Sequence, residues 1–357
     1  MSIKIYSFYN NKGGVGKTTL CSVASSLYAK NNPDKQVLVI DMCPQANISQ
    51  FLLGGGHVGY QTNQKLQSQA TRKNIVGFID WLLKGNADFK TPQTSYKINV
   101  SPYNSHIPNN LYLIAGDSFL ESMSLALNYA VLNPSNLNVW KEYMTSIKRL
   151  CRHELETNKY EKMTVFIDCN PSFSIYTQMA LVSSDYLIIP MMADFTSIEG
   201  IKGILMMLYG EYSSSAQKKY AANILTFHKQ VKDFDVNLPI MYKFVFNNFI
   251  ANLGIATAYQ SIKKELIQFC FRQYQTVPDL FAEVDSPPSS EEDWADIFVS
   301  DVKDFHTSGK VSASLGIPLH ELPQQSKYVM PDGKNVTLPQ TNYREALEQV
   351  NNFVSKI

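Results

Sequence analysis

The segment covering residues 3–19 narrows the choice of fold more than any other part of the chain. Residues 3–9 form an apolar, β-branched and aromatic run that ends in a glycine-rich stretch, Asn10-Asn11-Lys12-Gly13-Gly14-Val15-Gly16-Lys17-Thr18-Thr19. Apolar and small residues then recur at helical spacing (Leu20, Val23, Ala24, Leu27, Tyr28), and residues 37–41 are a second apolar run. Strand, glycine loop, helix and strand in that order make a βαβ unit, which commits the chain to parallel pairing with helices over the sheet. Further apolar runs at 111–115, 164–168, 186–190 and 240–247 lack polar alternation, as strands covered on both faces do. The expected fold is α/β, a doubly wound, mostly parallel β-sheet with helices on both faces.

Glycines in such a loop let successive backbone N–H groups turn inward around phosphate oxygens, and the positive end of the next helix adds to the field. Gly13, Gly14, Val15, Gly16, Lys17, Thr18 and Thr19 are the expected phosphate cradle. Lys17 is placed to reach the β- and γ-phosphates of a nucleotide, and the Thr18 hydroxyl to ligate Mg²⁺. The common pattern GxxxxGK[ST] asks for glycine at position 11, where this chain has Asn11, and Lys12 heads the run Lys-Gly-Gly-Val-Gly-Lys-Thr instead.

Composition excludes several other classes. Of 357 residues, 45% are hydrophobic, 12% aromatic and 18% charged, which excludes disorder for most of the chain. Lys+Arg 32 against Asp+Glu 31 leaves a formal net charge of +1, so nucleic acid would have to be met by a local patch. Cys21, Cys43, Cys151, Cys169 and Cys270 form no CxxC pair and read as reduced thiols of an intracellular protein. The amino terminus has no signal-peptide pattern, and no apolar run reaches the roughly 18 residues of a membrane span. A cytoplasmic location is expected. Residues 54–105, polar and rich in Gly, Gln, Asn and Thr, and residues 278–296, with Pro-Pro, Ser-Ser and an acidic cluster, break the strand–helix rhythm. Strands of the same character flank both, so they are expected as surface insertions in a single domain spanning 1–357.

The run from Lys12 to Thr18 is identified as the deviant Walker A motif of the ParA/MinD group of P-loop ATPases, and other segments resemble the same group. Asp41-Met42-Cys43-Pro44-Gln45-Ala46-Asn47 resembles the switch I segment usually written DxDPQxN. Asp168-Cys169-Asn170-Pro171-Ser172, closing an apolar run, resembles the Walker B strand and switch II, usually IIDxPPS. Leu187-Ile188-Ile189-Pro190 and then Ser197-Ile198-Glu199-Gly200 is similar to LIPxxxxxxxxxEG; Asn252-Leu253-Gly254-Ile255 and residues 313–318 match later landmarks. The resemblance implies an ATPase using ATP and Mg²⁺. In this family such a protein works as a nucleotide-dependent sandwich dimer that positions DNA, as in plasmid or chromosome partition, or another cargo.

On the same resemblance, Lys12 crosses to the nucleotide of a second subunit and Asp168 holds a water of the Mg²⁺ shell. Position 43 departs from the family, whose usual Asp orients the attacking water; here it is Cys43. A thiol is a weak hydrogen-bond partner, charged only as a thiolate with an ordinary pKa of about 8.5. Hydrolysis without a partner is therefore expected to be slow. Asp41 lies one pleat deeper on the same side of the strand and is a candidate for serving the metal, the switch or the water. Asn247 or Asn248 is the candidate for the adenine edge, since an amide offers both donor and acceptor.

Non-specific DNA contact is implied through basic residues on the dimer's surface. The candidates are Lys263, Lys264 and Arg272, on a helix expected over 256–272, with Lys218, Lys219, Lys229 and Lys232 earlier in the chain. Ile250 stands where relatives often carry Arg. No room before residue 10 is expected for an amino-terminal helix-turn-helix domain. A ParB-like adaptor that stimulates hydrolysis is the implied protein partner, and nucleoid association follows if DNA is bound. The alternatives are a MinD-like membrane-associated positioning ATPase and a metabolic P-loop ligase or kinase. The first needs an amphipathic carboxy-terminal anchor. The helix expected over 342–357 has a thin apolar face (Leu347, Val350, Phe353, Val354) better suited to packing on its own domain, so membrane binding is not expected. The second needs a substrate pocket, for which residues 54–105 are the candidate.

Overall fold

The computed structural model describes residues 2–87, 92–132, 137–157, 159–249 and 253–357, and no side chain of residues 248, 249 or 253–258. Ile250 and Asn252 lie outside the described residues, as does the side chain of Asn248. The apolar runs become strands β1 (Ser2–Phe8), β2 (Gln36–Met42), β4 (Leu111–Ile114), β5 (Lys162–Cys169), β6 (Tyr186–Met191) and β7 (Ile240–Phe249). Two more complete an eight-stranded sheet: β3 (Ile98–Asn99) and β8 (Val299–Lys303), in the order β3-β4-β2-β5-β1-β6-β7-β8. Only β3 runs antiparallel, on β4; the other neighbours are parallel.

Alternate residues of each inner strand feed two separate cores, which is why these runs carry no polar alternation. On β2, Leu38, Ile40 and Met42 enter one core, while Val37 and Val39 enter the other. The first core is roofed by helices that include Ile75–Trp81, Ser146–Glu156 and Ile175–Ser183, and the second by Lys17–Asn31 and Gln340–Val354. The last helix buries Tyr343, Ala346, Val350, Phe353 and Val354, a stripe at helical spacing, and Phe353 meets Phe8 edge-on at 6.5 Å. Its apolar face is thus occupied by the sheet beneath it. Among the described residues no helix is long and apolar enough to cross a membrane.

The two segments expected as surface insertions also send residues inward. Ile75, Val76, Phe78 and Ile79 join the first core, and Trp294 is fully buried against Phe244, Phe281 and Phe298. The chain leaves β1 toward β2 on one side and later places β6, β7 and β8 on the other. Such a reversal opens a crevice at the carboxyl ends of the central strands, where open α/β sheets take ligands.

Candidate functional site

Strand β1 ends at Phe8, and the glycine-rich loop runs from it into the helix Lys17–Asn31. Gly14 (φ 73°) and Gly16 (φ 86°) adopt the left-handed backbone that side chains resist. At Gly16 a Cβ would also strike the Asn247 amide. That amide, at the end of β7, donates to the Val15 carbonyl at 3.3 Å, so Asn247 closes the loop from the far side of the sheet. Asn10 braces the other end: its amide donates to the Pro190 carbonyl (2.8 Å), and its oxygen accepts from Lys12 N–H (3.0 Å).

The two lysines point to different places. Lys17 is buried and its amine donates to the carbonyls of Asn10 (3.0 Å) and Lys12 (2.7 Å), folding back over its own loop. Burial lowers its pKa, against an opposing pull from Asp168. Lys12 reaches outward to an ion pair with Asp194. Asp194 is also the N-cap of the helix Phe195–Ile204 and accepts from Ser197 N–H at 3.0 Å and the Thr196 hydroxyl at 2.8 Å. Burial alone would raise the Asp194 pKa; Lys12 and the hydroxyls of Thr196 and Ser197 bring it below the usual value.

Parallel pairing of β2 with β5 sets Asp41 directly beside Asp168. Their surroundings differ. Asp41 accepts from Cys43 N–H (3.0 Å), Ser49 N–H (3.1 Å) and the Ser49 hydroxyl (2.7 Å), so its oxygens clamp the turn that follows β2 and the start of helix Asn47–Leu52. Ser49 in turn accepts from Gly116 N–H at 2.8 Å. Asp168 is equally buried, yet among the described residues neither of its oxygens has a hydrogen-bond partner of ordinary geometry. Burial and the charge of Asp41 push its carboxyl up, while the Thr18 hydroxyl and Lys17 pull it back. A buried carboxylate without partners is costly unless a cation answers it. Asp168 therefore suits a divalent cation approached by Thr18. Among the described residues no group of three or more His, Cys, Asp or Glu could hold a metal alone.

Cys43 is buried, its thiol donating to the Gln45 side-chain oxygen at 2.9 Å. Burial and the charges of Asp41 and Asp168 push it up to about 12, so at neutral pH it is an uncharged S–H. A cavity of ≈ 1040 Å³ opens beside the loop, lined by Gly16, Thr19, Asn247, Phe305, His306 and Lys310 among others. Phe305 and His306 follow β8, which sequence reading missed because Val-Ser-Asp-Val-Lys reads as a half-polar edge. Asp194 and Ser49 were also missed. The N-cap pattern of Asp194 with Ser197 was the local signal available for the first.

The expected DNA residues lie elsewhere. On the helix Leu253–Thr276, Lys264 and Arg272 are exposed, whereas Lys263 is held by both oxygens of Asp301 at 2.7 Å. Lys218 and Lys219 are exposed on the helix Ser215–Ala221.

Residues 3–218 match the model of a protein family described as an AAA domain. The chain belongs to this family, in its ParA/MinD-like group of P-loop proteins. An uncharacterised protein of Pseudomonas putida is 27% identical over 203 residues, which is 57% of this chain and 61% of that protein. The ParA/MinD-like chain thus spans about three fifths of that relative. The solved structure of pNOB8 ParA has a TM-score of 0.57 at 16% identity, covering 99% of this chain and 97% of that one. An ATP complex of a McdA variant from Cyanothece has a TM-score of 0.54 at 14% identity, with 98% of each chain covered. Both are likenesses of fold, a doubly wound α/β P-loop architecture.

Proposed function

We propose that this chain binds Mg·ATP and acts as a nucleotide-dependent sandwich dimer that positions DNA or another cargo, hydrolysing ATP slowly until a ParB-like adaptor engages it. The observation that carries the reading is the contrast between the two adjacent carboxylates: Asp41 is saturated by its own turn, and Asp168 is buried beside Lys17 and Thr18 with neither oxygen in a hydrogen bond of ordinary geometry among the described residues. Gly13 to Thr19 would cradle the phosphates, Lys17 would leave its two carbonyls for the β- and γ-phosphates, and Thr18 and Asp168 would hold the metal side. Mg²⁺ would neutralise phosphate charge there. Lys12 would leave Asp194 for the partner's phosphate. Asn247, already on the loop, would meet the base. With Cys43 neutral and bonded to Gln45 and Asp41 held by its own turn, neither position of the 41–47 segment offers a free carboxylate to orient water, which supports slow turnover. DNA contact would rest on Lys264 and Arg272, with Lys263 contributing only if Asp301 releases it.

Fluorescent-nucleotide binding and light scattering test the reading together. Lys17→Ala abolishes Mg·ATP binding, whereas Lys12→Ala binds nucleotide as a monomer and does not dimerise. ATP-dependent dimerisation of the Lys12 variant, unchanged from wild type, would defeat the sandwich arrangement.

A further inference from the structure

The turn between β5 and the helix Ile175–Ser183 starts two residues beyond Asp168. Cys169 pairs with Met42, and Asp168 with both Asp41 and Phe8. The chain therefore leaves β5 with Cys43 on one flank and the start of the glycine-rich loop on the other. The Phe173 ring, in the same turn, lies 6.4 Å from Tyr9. The pattern DxPPS that this stretch resembles has proline at position 170, where its ring would fix φ and remove conformational freedom. Asn170 lacks that constraint, and its side-chain amide holds the turn by two hydrogen bonds instead. The oxygen accepts from Ser172 N–H at 3.0 Å, closing an Asx turn, and the nitrogen donates to the Tyr176 hydroxyl at 3.1 Å.

Tyr176 is fully buried in the first core, and its hydroxyl donates to Glu121 Oε2 at 2.8 Å while it accepts from Asn170. Donor and acceptor functions of the phenol are both used, one on a neighbouring helix and one on the turn. Burial and Glu121 push the Tyr176 pKa up, and the hydroxyls of Ser174 and Ser172 pull against them. Glu121 is exposed and is the one acid of the helix Phe119–Ala130. An ionised acceptor makes the stronger kind of hydrogen bond. A surface carboxylate thus fixes a buried hydroxyl, the hydroxyl fixes an amide, and the amide fixes the turn beside Asp168 and Cys43. Neither Glu121, Asn170 nor Tyr176 is among the described residues that line the nucleotide cavity.

We propose that Tyr176 is a positioning residue for ATP hydrolysis: tethered to Glu121, it holds Asn170 and with it the turn that follows Asp168 and flanks Cys43, supplying the rigidity that a proline would give. The residues that would cradle phosphate belong to β1 and the helix after it, so losing the tether slows turnover and spares affinity. The positioning role rests on the hydrolytic reading above; the tether itself does not.

Single-turnover phosphate release with protein in excess, the Kd for Mg·ATP, and amide hydrogen exchange by NMR are measured on the full chain and its variants. Tyr176→Phe releases phosphate about tenfold or more slowly and binds Mg·ATP within about twofold of wild type. Its Ser172 amide exchanges about fivefold or more faster. Glu121→Ala shifts the same way, and Glu121→Gln shifts less, since its amide oxygen still accepts from the hydroxyl. Asn170→Pro added to Tyr176→Phe restores release, because the ring stiffens the turn and Cys169 already has the strand backbone that suits a residue before proline. A tyrosine that served packing alone would not be rescued this way. Release unchanged in Tyr176→Phe, or affinity lost in proportion to release, would overturn the positioning role, as would a folded double variant no faster than Tyr176→Phe. Should the double variant not fold, Glu121→Ala decides: release and Ser172 exchange equal to wild type would overturn the proposal. Ser172 exchange unmoved by Tyr176→Phe would overturn the tether. Wild type that binds Mg·ATP and releases no phosphate would defeat the hydrolytic reading and the positioning role with it, while exchange still decides the tether.

Discussion

Replacing Asp194 by Asn should tighten the proposed nucleotide-dependent dimer. In the free chain Lys12 is held by Asp194, with side chains 25% and 38% exposed, and it must be released before it can reach a phosphate across an interface. Partly exposed pairs of this kind are worth about 0.2–1 kcal/mol. A symmetric dimer breaks two of them, a cost of about 0.4–2 kcal/mol. At 1.4 kcal/mol per decade, removing it lowers the dimer Kd about 2- to 30-fold. Asn keeps the N-cap of helix Phe195–Ile204, because its side-chain oxygen can still accept from Ser197 N–H as Asp194 does at 3.0 Å, so the helix is not the variable. The assay is sedimentation velocity over a concentration series with Mg·AMP-PNP. The gain should shrink as salt is raised, since screening weakens the pair in wild type. Lys12→Ala should be monomeric in either background. A Kd raised by Asp194→Asn, or unchanged at low salt, would mean that Lys12 keeps Asp194 in the dimer and that the latch does not exist.

Asp168→Asn should stabilise the nucleotide-free protein by about 1–3 kcal/mol in urea unfolding, because it removes a buried carboxylate without a hydrogen bond of ordinary geometry, while weakening Mg²⁺-dependent nucleotide binding; a destabilised variant would show that the carboxylate is answered from within the protein. Cys43→Asp should raise steady-state phosphate release, since positioning contacts of this kind are worth on the order of 10²-fold. Asp41→Ala should instead lose stability by about 1–3 kcal/mol, as it strips the acceptor from Ser49 and Cys43 N–H. No gain from Cys43→Asp, with collapse of hydrolysis but not of stability in Asp41→Ala, would reverse the two assignments. His320 has both ring nitrogens buried without a hydrogen-bond partner among the described residues, and burial lowers its pKa from 6.5 to about 4. The unfolded chain therefore takes up the proton first. The stability it contributes is complete above about pH 6.5 and is lost as pH falls through about 4, with a slope of up to about 1.4 kcal/mol per pH unit. His320→Leu should flatten that limb in pH-dependent urea titrations, and an unaltered limb would place the acid sensitivity elsewhere.

What could be read from the chain alone was whatever depends on near neighbours. The glycine-rich loop is a local object: a strand end, glycines with left-handed backbone and a helix start lie within ten residues, so its place between β1 and the helix that begins at Lys17 could be expected from spacing. The inner strands were found because burial on both faces leaves an uninterrupted apolar run. Strand β3, two residues long, and the half-polar edge β8 have no such signature, and with β8 went the loop that brings Phe305 and His306 to the cavity. Residues 54–105 and 278–296 looked polar on average, and an average does not reveal that Phe78 and Trp294 are core residues. Only the tertiary structure decided the electrostatics of the site. Asp41 and Asp168 are 127 positions apart and become neighbours because β2 pairs with β5 in one register. Once there, the turn after β2 satisfies one carboxylate and leaves the other bare. Lys12 meets Asp194 across 182 residues because β6 lies beside β1 and its last turn caps the next helix at the mouth of the loop. Periodicity reports what each residue's own segment needs. Which charges meet is set by where the segments land, and that is a property of the packed sheet.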